Sequence, residues 1–153
     1  MFNENILNSM YKKVKSLVKH DVILKRLNKL SEYVALLERL RSNPKNAIMD
    51  DPFVYGNIER YLHLAIQTVI DISNHIMSER NINGINDYRD MITGLGKVGI
   101  ISSDLAIRIA PMAGLRNILV HEYLDIDKEK LYDILQNNLQ DFKEFGKQIE
   151  KIL

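Results

Sequence analysis

The sequence has 153 residues, which is enough for one domain with a buried core, and 46% of them are hydrophobic while 27% are charged. It contains no cysteine, which excludes disulfides and thiolate chemistry, and it has no apolar run of the roughly 18 residues that a membrane span needs. The net charge of +1 gives no bulk argument for nucleic-acid binding. The lack of cysteine and of a long apolar run leads us to expect a cytoplasmic protein with no membrane contact. Because three prolines and seven glycines leave few breaks, we expect long helices.

The first 41 residues are basic and amphipathic, with nine Lys or Arg against four Asp or Glu. This excess of positive charge could steer RNA, or it could be the solvated face of a helix. Apolar residues spaced by three and four predict a helix over residues 3–19. Asp21 can cap a second helix that ends before Pro44, and the two helices could also join into one.

The remainder of the chain shows the same helical spacing. We expect a long, largely buried helix over residues 54–79 and a shorter one over about 87–97. A third helix should run from Ser102 or Ser103 to about Glu122, with a kink at Pro111, and a last one should follow Asp125 or Asp127. No alternating strand pattern of useful length is present. The sequence therefore predicts an all-α fold, an antiparallel helical bundle of four to six helices.

The sharpest chemical feature is the run from Arg116 to Tyr123, which reads RNILVHEY at the end of a largely apolar helix. In a regular helix Asn117 and His121 lie nearly above one another, and Arg116 is about 140° away around the axis. These three side chains can therefore border one cleft, with Tyr123 at its edge.

RNA cleavage requires that a 2′-hydroxyl lose its proton and that negative charge on the phosphate be neutralised. Histidine can transfer a proton near neutral pH, which suits His121 for the first task. The guanidinium fork of Arg116 matches two phosphate oxygens, and Asn117 can orient either partner. One arginine and one histidine make a small site, so a two-fold dimer that faces two copies of this helix would complete it. Arg and His five residues apart are also common in surface pairs and around buried histidines.

Metal ligands are not apparent in the sequence. Glu59 with His63 and Asp71 with His75 are spaced by four on one helix, but the two pairs are three turns apart and do not converge. We therefore expect no metal and no cofactor, and a metal-independent reaction that leaves a 2′,3′-cyclic phosphate. Asp71 and His75 could still line the cleft as supporting groups.

The run RNILVHEY resembles the R-x4-6-H signature of the HEPN superfamily, in the R-N-x-x-x-H-x-Y form of the HepT-type toxins. The surrounding sequence is similar too: residues 59–62 and 71–76 resemble the second helix of that family, and residues 112–115 resemble the approach to its motif. The resemblance covers the chain from about Asp21 onward. We accordingly divide the chain into an N-terminal amphipathic helical extension, residues 1–20, and a HEPN-like helical domain, residues 21–153.

The resemblance implies a two-fold homodimer that acts as the toxin of a type VII toxin–antitoxin system. Arg116 and His121 match the paired catalytic residues of an RNA endonuclease whose site is composite at the dimer interface, and Asn117 matches the polar residue after the arginine. Tyr123 matches the tyrosine that a MntA-type nucleotidyltransferase antitoxin adenylylates. Phosphates added there would occupy the groove beside Arg116 and block it. The alternatives are a non-enzymatic partner or substrate-binding subunit of a nucleotidyltransferase, and a nucleotide-binding helical domain.

Overall fold

The computed structural model describes residues 3–121 and 126–153, except for the side chain of Val18. In these ranges no helix is both long enough and apolar enough to span a membrane. The helices of the described residues are α1 (Glu4–Arg41), α2 (Lys45–Asp50), α3 (Pro52–Glu79), α4 (Tyr88–Lys97), α5 (Ser103–Ala113), α6 (Arg116–Val120), α7 (Lys128–Asn137) and α8 (Leu139–Glu150).

Helix α1 is a single helix of 38 residues, so the predicted alternative of one fused helix is the correct one. Its second half packs against α3 through a buried stripe, whereas the apolar residues of its first half are exposed by half or more. At about 100° per residue, the two stripes point roughly 150° apart around the axis. The buried stripe is Ile23, Leu27, Leu30, Val34 and Leu37, and the exposed one is Ile6, Leu7, Met10, Val14 and Leu17.

Helix α3 is the central element, and it packs against α1, α2, α4, α5, α6 and α8. It starts at Pro52 because Asp51 caps it, its side chain accepting the N–H of Phe53 at 2.9 Å, and proline fits the first turn of a helix. Isoleucine, leucine and valine dominate its buried surface, and each fully buried side chain of this kind contributes roughly 1.5–3 kcal/mol. Among its buried residues only Thr68 and Ser73 are polar.

The helix predicted from Ser102 or Ser103 to Glu122 is not continuous. Helix α5 ends at Ala113, just after Pro111, and α6 restarts at Arg116 and ends at Val120. The side chain of Arg89 lies close to Gly114, where an added Cβ would be 2.5 Å from its Nε, so a larger residue at this position would require the Arg89 side chain to move. The predicted kink is thus a break a few residues later, and Glu122 lies outside the described residues.

The last predicted helix is also interrupted, at Asn138, between α7 and α8. Asp127 caps α7 by accepting the N–H groups of Glu129 and Lys130, as one of the two predicted caps, while Asp125 lies outside the described residues. The eight described segments compare with four to six predicted helices. The difference comes from these two breaks and from the short helix α2, in a segment expected to be a loop.

Candidate functional site

Arg116 opens α6, and its half-buried side chain reaches across to α3 and α4. Its Nε donates a hydrogen bond to Oε1 of Gln67 at 2.8 Å, and its Nη1 donates to Oδ1 of Asn117 at 3.1 Å. The guanidinium also lies over the ring of Tyr88, 5.6 Å from the ring centroid. Three neighbours from three helices therefore fix the position of this arginine.

Gln67 is itself held by a charged group on the same helix. Its Nε2 donates to Oδ1 of Asp71 at 2.8 Å, one turn further along α3. Because the amide nitrogen is engaged there, the amide oxygen faces Arg116. The backbone oxygen of Asp71 accepts from Nη1 of Arg26 at 3.1 Å, which ties this part of α3 to α1.

His63 lies one turn before Gln67 on α3 and is half-buried. Burial lowers the pKa of His63 below the usual 6.5, and the positive charges of Arg60 and Arg116 lower it further. The neutral imidazole is thus favoured at neutral pH. His63 therefore lies within electrostatic range of Arg116.

Asn117 is exposed and lies next to a surface depression between α6 and the start of α4. This depression has a volume of about 400 Å³, and Ile85, Asn86, Asp87, Tyr88 and Met91 line it together with Asn117. Arg116 is not itself a lining residue, but it contacts two residues that are, Asn117 and Tyr88.

His121 is exposed and follows directly after α6, where the backbone turns to an extended conformation. Its backbone N–H donates to the carbonyl of Asn117 at 3.2 Å. The regular helix assumed for the RNILVHEY run therefore holds only from Arg116 to Val120. His121 lies about 7 Å further along the helix axis than Arg116, at 1.5 Å per residue.

The remaining predicted site residues have different surroundings. Asp71 joins the Arg116 network through Gln67. His75 instead has its Nε2 3.2 Å from Oε1 of Glu79, the carboxylate that also pairs with Lys19 of α1. Tyr123 lies outside the described residues. In the part of the chain that the structure describes, no group of three or more His, Cys, Asp or Glu residues is placed to hold a metal ion.

Two residues of this network were not predicted from the sequence, Gln67 and Tyr88. Tyr88 is distant from Arg116 in the chain, so the sequence gives no sign of their contact. Gln67 had a usable signal, because it lies four residues after His63 and four before Asp71. Polar residues at that spacing form one face of a helix that is otherwise mostly apolar.

The chain is similar to known proteins over most of its length. The model of a family described as Ribonuclease HepT-like matches residues 23–149, which include Gln67, Arg116 and His121. A tRNA nuclease HepT of Aphanizomenon flos-aquae is 39% identical over 95 residues, 62% of this chain and 65% of that protein, so the match spans slightly less than two thirds of it. An mRNA nuclease HepT of Shewanella oneidensis is 24% identical over 126 residues, 82% of this chain and 94% of that protein.

A solved structure has the same fold. It is a tri-AMPylated HEPN toxin of Shewanella oneidensis in complex with an MNT antitoxin, with a TM-score of 0.77 and 24% identity over 86% of this chain and 98% of that one. The family model matches residues 23–149, which is well over half of the chain. This chain belongs to the HepT-like ribonuclease family.

Proposed function

We propose that this protein is a metal-independent endoribonuclease and the toxin of a toxin–antitoxin pair, with its site on α6. The observation that carries the proposal is the guanidinium of Arg116, which Gln67, Asn117 and Tyr88 hold in position on the short helix that directly precedes His121. Similarity to proteins described as tRNA and mRNA nucleases supports RNA as the substrate. The cytoplasm is where such substrates occur.

Each residue then has a chemical role. Arg116 binds a non-bridging oxygen of the scissile phosphate and offsets the charge that develops there. A His121 imidazole takes the proton of the 2′-hydroxyl, whose oxygen forms a bond to phosphorus as the bond to the 5′-oxygen breaks. The leaving 5′-oxygen takes up a proton from an acid, and the products are a 2′,3′-cyclic phosphate and a 5′-hydroxyl. Asn117 holds Arg116 through their hydrogen bond.

A two-fold homodimer supplies the second proton-transfer group. If α6 of each subunit borders a shared cleft, one His121 acts as the base and its counterpart as the acid. The exposure of His121 and Asn117 supports this arrangement, because both side chains are accessible to a partner subunit and to RNA.

Control by a nucleotidyltransferase is the second part of the proposal. A HEPN toxin of the same fold is tri-AMPylated and bound to an MNT antitoxin. We extend this to Tyr123 of this chain, seven residues after Arg116, as the position that a MntA-type enzyme adenylylates. The added phosphates would pair with Arg116 and exclude RNA. Residues 1–20 would then be an addition to the family domain, whose model starts at residue 23.

The test is cleavage of labelled tRNA and of a labelled messenger transcript by the purified protein in EDTA. We expect the wild type to cut, and His121→Ala and Arg116→Met to lose cutting, while His20→Ala, a histidine of α1, serves as the matched control and stays active. The 3′ ends should resist ligation until the cyclic phosphate is removed. RNA left intact by all four proteins would overturn the ribonuclease proposal and favour a non-enzymatic partner of a nucleotidyltransferase, whereas inactivation by EDTA would overturn the metal-free mechanism.

Modification has its own test, the intact mass of the protein after incubation with ATP and the cognate nucleotidyltransferase. The mass should rise by whole AMP units in the wild type and in Tyr11→Phe, which alters an exposed tyrosine of α1. It should not rise in Tyr123→Phe. An equal gain in the Tyr123→Phe protein would place the modified group elsewhere.

A further inference from the structure

The partners of Arg116 share one property: all of them are uncharged. Within residues 3–121 and 126–153, its contacts are the amide of Gln67, the amide of Asn117 and the ring of Tyr88. Buried arginines are usually paired with carboxylates, because unpaired buried charge is costly. Among the residues that the structure describes, no carboxylate pairs with the half-buried Arg116.

The partner of Arg116 Nε is the amide of Gln67, and a carboxylate in its place would act differently. A carboxylate on Nε would form a charge-assisted bond and compete with phosphate for the same cation. The amide oxygen of Gln67 gives the same direction to the side chain and leaves the full positive charge for a ligand. Two of the five N–H donors of Arg116 are engaged, by Gln67 and Asn117, so one N–H of Nη1 and both of Nη2 remain for phosphate oxygens.

Asp71 makes the choice of the amide orientation unambiguous. A glutamine can present either its oxygen or its nitrogen, and a nitrogen facing Arg116 would repel it. An ionised carboxylate can only accept hydrogen bonds. Asp71 therefore accepts one from Nε2 of Gln67, and Oε1 of Gln67 faces Arg116. The negative charge is thereby kept one side chain away from the guanidinium.

We infer that Gln67 is a positioning residue for RNA cleavage: it aims Arg116 at the scissile phosphate without reducing its charge, and Asp71 sets its orientation. This rests on the proposed function, and it names the residue that determines how much charge that site presents. Asp71 then orients Gln67, a role different from the one predicted from the sequence, which was to line the cleft.

The decisive variant exchanges the charges of the two positions, Gln67→Glu together with Asp71→Asn. Net charge and the chain of hydrogen bonds are both kept, because the new amide at position 71 can donate to the new carboxylate at position 67. Only the place of the negative charge changes, from one side chain away to direct contact with Arg116. We expect kcat/KM for RNA to fall at least about tenfold, with an unchanged thermal unfolding midpoint.

The salt dependence of RNA binding provides a measurement that would not change if Gln67 had only a structural role. The slope of log Kd against log salt should become shallower by roughly 0.7–0.9, the loss of one phosphate contact, in the exchanged protein. Gln67→Met, which removes both hydrogen bonds but adds no charge, should lower kcat/KM while keeping most of that slope. In 15N spectra, the Arg116 Nε–H signal, assigned by its loss in Arg116→Lys, should be protected from exchange in the wild type and lose protection in Gln67→Met.

The outcomes separate this inference from the proposed function. Equal cleavage and an equal salt slope for the wild type and the folded exchanged protein would overturn the inference alone. A wild type that leaves RNA uncut but shows the predicted change of slope on exchange would overturn the proposed reaction and keep the role of Gln67 in phosphate binding. An unprotected Nε–H signal in the wild type would overturn the inference even if the exchanged protein failed to fold.

Discussion

Arg108 and Arg116 belong to consecutive helices, yet their surroundings are opposite. Arg108, on α5, reaches three carboxylates: its Nη1 contacts the buried Asp141, and its Nη2 lies 2.9 Å from Glu144 and 3.1 Å from Asp104. The hydrogen bond to Glu144 is the largest of the effects that raise the pKa of Arg108. Arg116 contacts two amides and an aromatic ring.

The contrast shows that the partners, more than the residue type, decide what an arginine does here. Carboxylates pair with the charge of Arg108, and two of them, Asp141 and Glu144, join α5 to α8. Arg116 is fixed in direction but retains its charge. A fold needs the first kind of arginine and a phosphate site needs the second.

Replacing Arg116 by methionine should mainly reduce activity, whereas replacing Arg108 by methionine should mainly reduce stability. The loss of activity in Arg116→Met is the largest expected effect. Arg116→Met removes the group that offsets charge on the phosphate, so kcat/KM for RNA should fall by about 100- to 1000-fold, as for loss of one donor to a developing oxyanion. Arg108→Met should keep cleavage per folded molecule close to that of the wild type. Comparable activity losses in the two variants, measured on folded protein, would contradict the contrast.

Stability should respond in the reverse order. Arg108→Met leaves the buried carboxylate of Asp141 with the amide of Asn138, 3.0 Å away, as its described partner, so the unfolding midpoint should drop by several degrees. Arg116→Met gives up two hydrogen bonds to neutral groups at the surface and should shift the midpoint less. Thermal denaturation followed by circular dichroism measures both, and a larger drop for Arg116→Met would reverse the assignment of roles.

Lowering the pH should destabilise the protein through His63, which lies near Arg116. Its pKa is lowered in the folded protein by burial and by Arg60 and Arg116, so the unfolded chain binds a proton more readily as the pH falls through about 6.5. The free energy of unfolding should therefore decrease below that pH, and the contribution is fully present above it. In His63→Gln this part of the pH dependence should be missing, as judged by urea unfolding at several pH values. Identical pH profiles would remove His63 from the network.

Deleting residues 1–20 should have the smallest effect and leave both arginines as they are. The described side chains of residues 3–17 are exposed, and Asp21 can cap the shortened α1. The deletion loses the contact between Lys19 and Glu79, 3.5 Å long, which is worth up to about 1 kcal/mol. Unfolding and RNA cleavage should match those of the full chain. A large loss of either would show that the first half of α1 supports the domain.

The helices were predictable from the sequence wherever one apolar face repeats over many residues. The long helix α3 and the cap of α7 at Asp127 were expected and are present. The break after α5 was not, because it falls at residues 114 and 115, inside a run whose apolar spacing continues from α5 into α6. Local periodicity cannot show such a break.

The candidate site was predictable to a similar extent. Arg116, Asn117 and His121 are neighbours in the chain, so one motif contains them all, and their roles stay predictions. Gln67 and Tyr88, which hold Arg116, lie on other helices and are brought near only by packing. Asp71 was expected beside the cleft, and the structure links it to Arg116 through Gln67.

The amide at position 67 also has a genetic consequence. Glutamine and glutamate codons differ at their first base, so a single C-to-G transversion would place a carboxylate against Arg116. If the neutral contact is what keeps the enzyme lethal, a cell that loses its antitoxin could escape by one point mutation without discarding the folded protein. Survivors selected after antitoxin loss should then include full-length alleles altered at this codon.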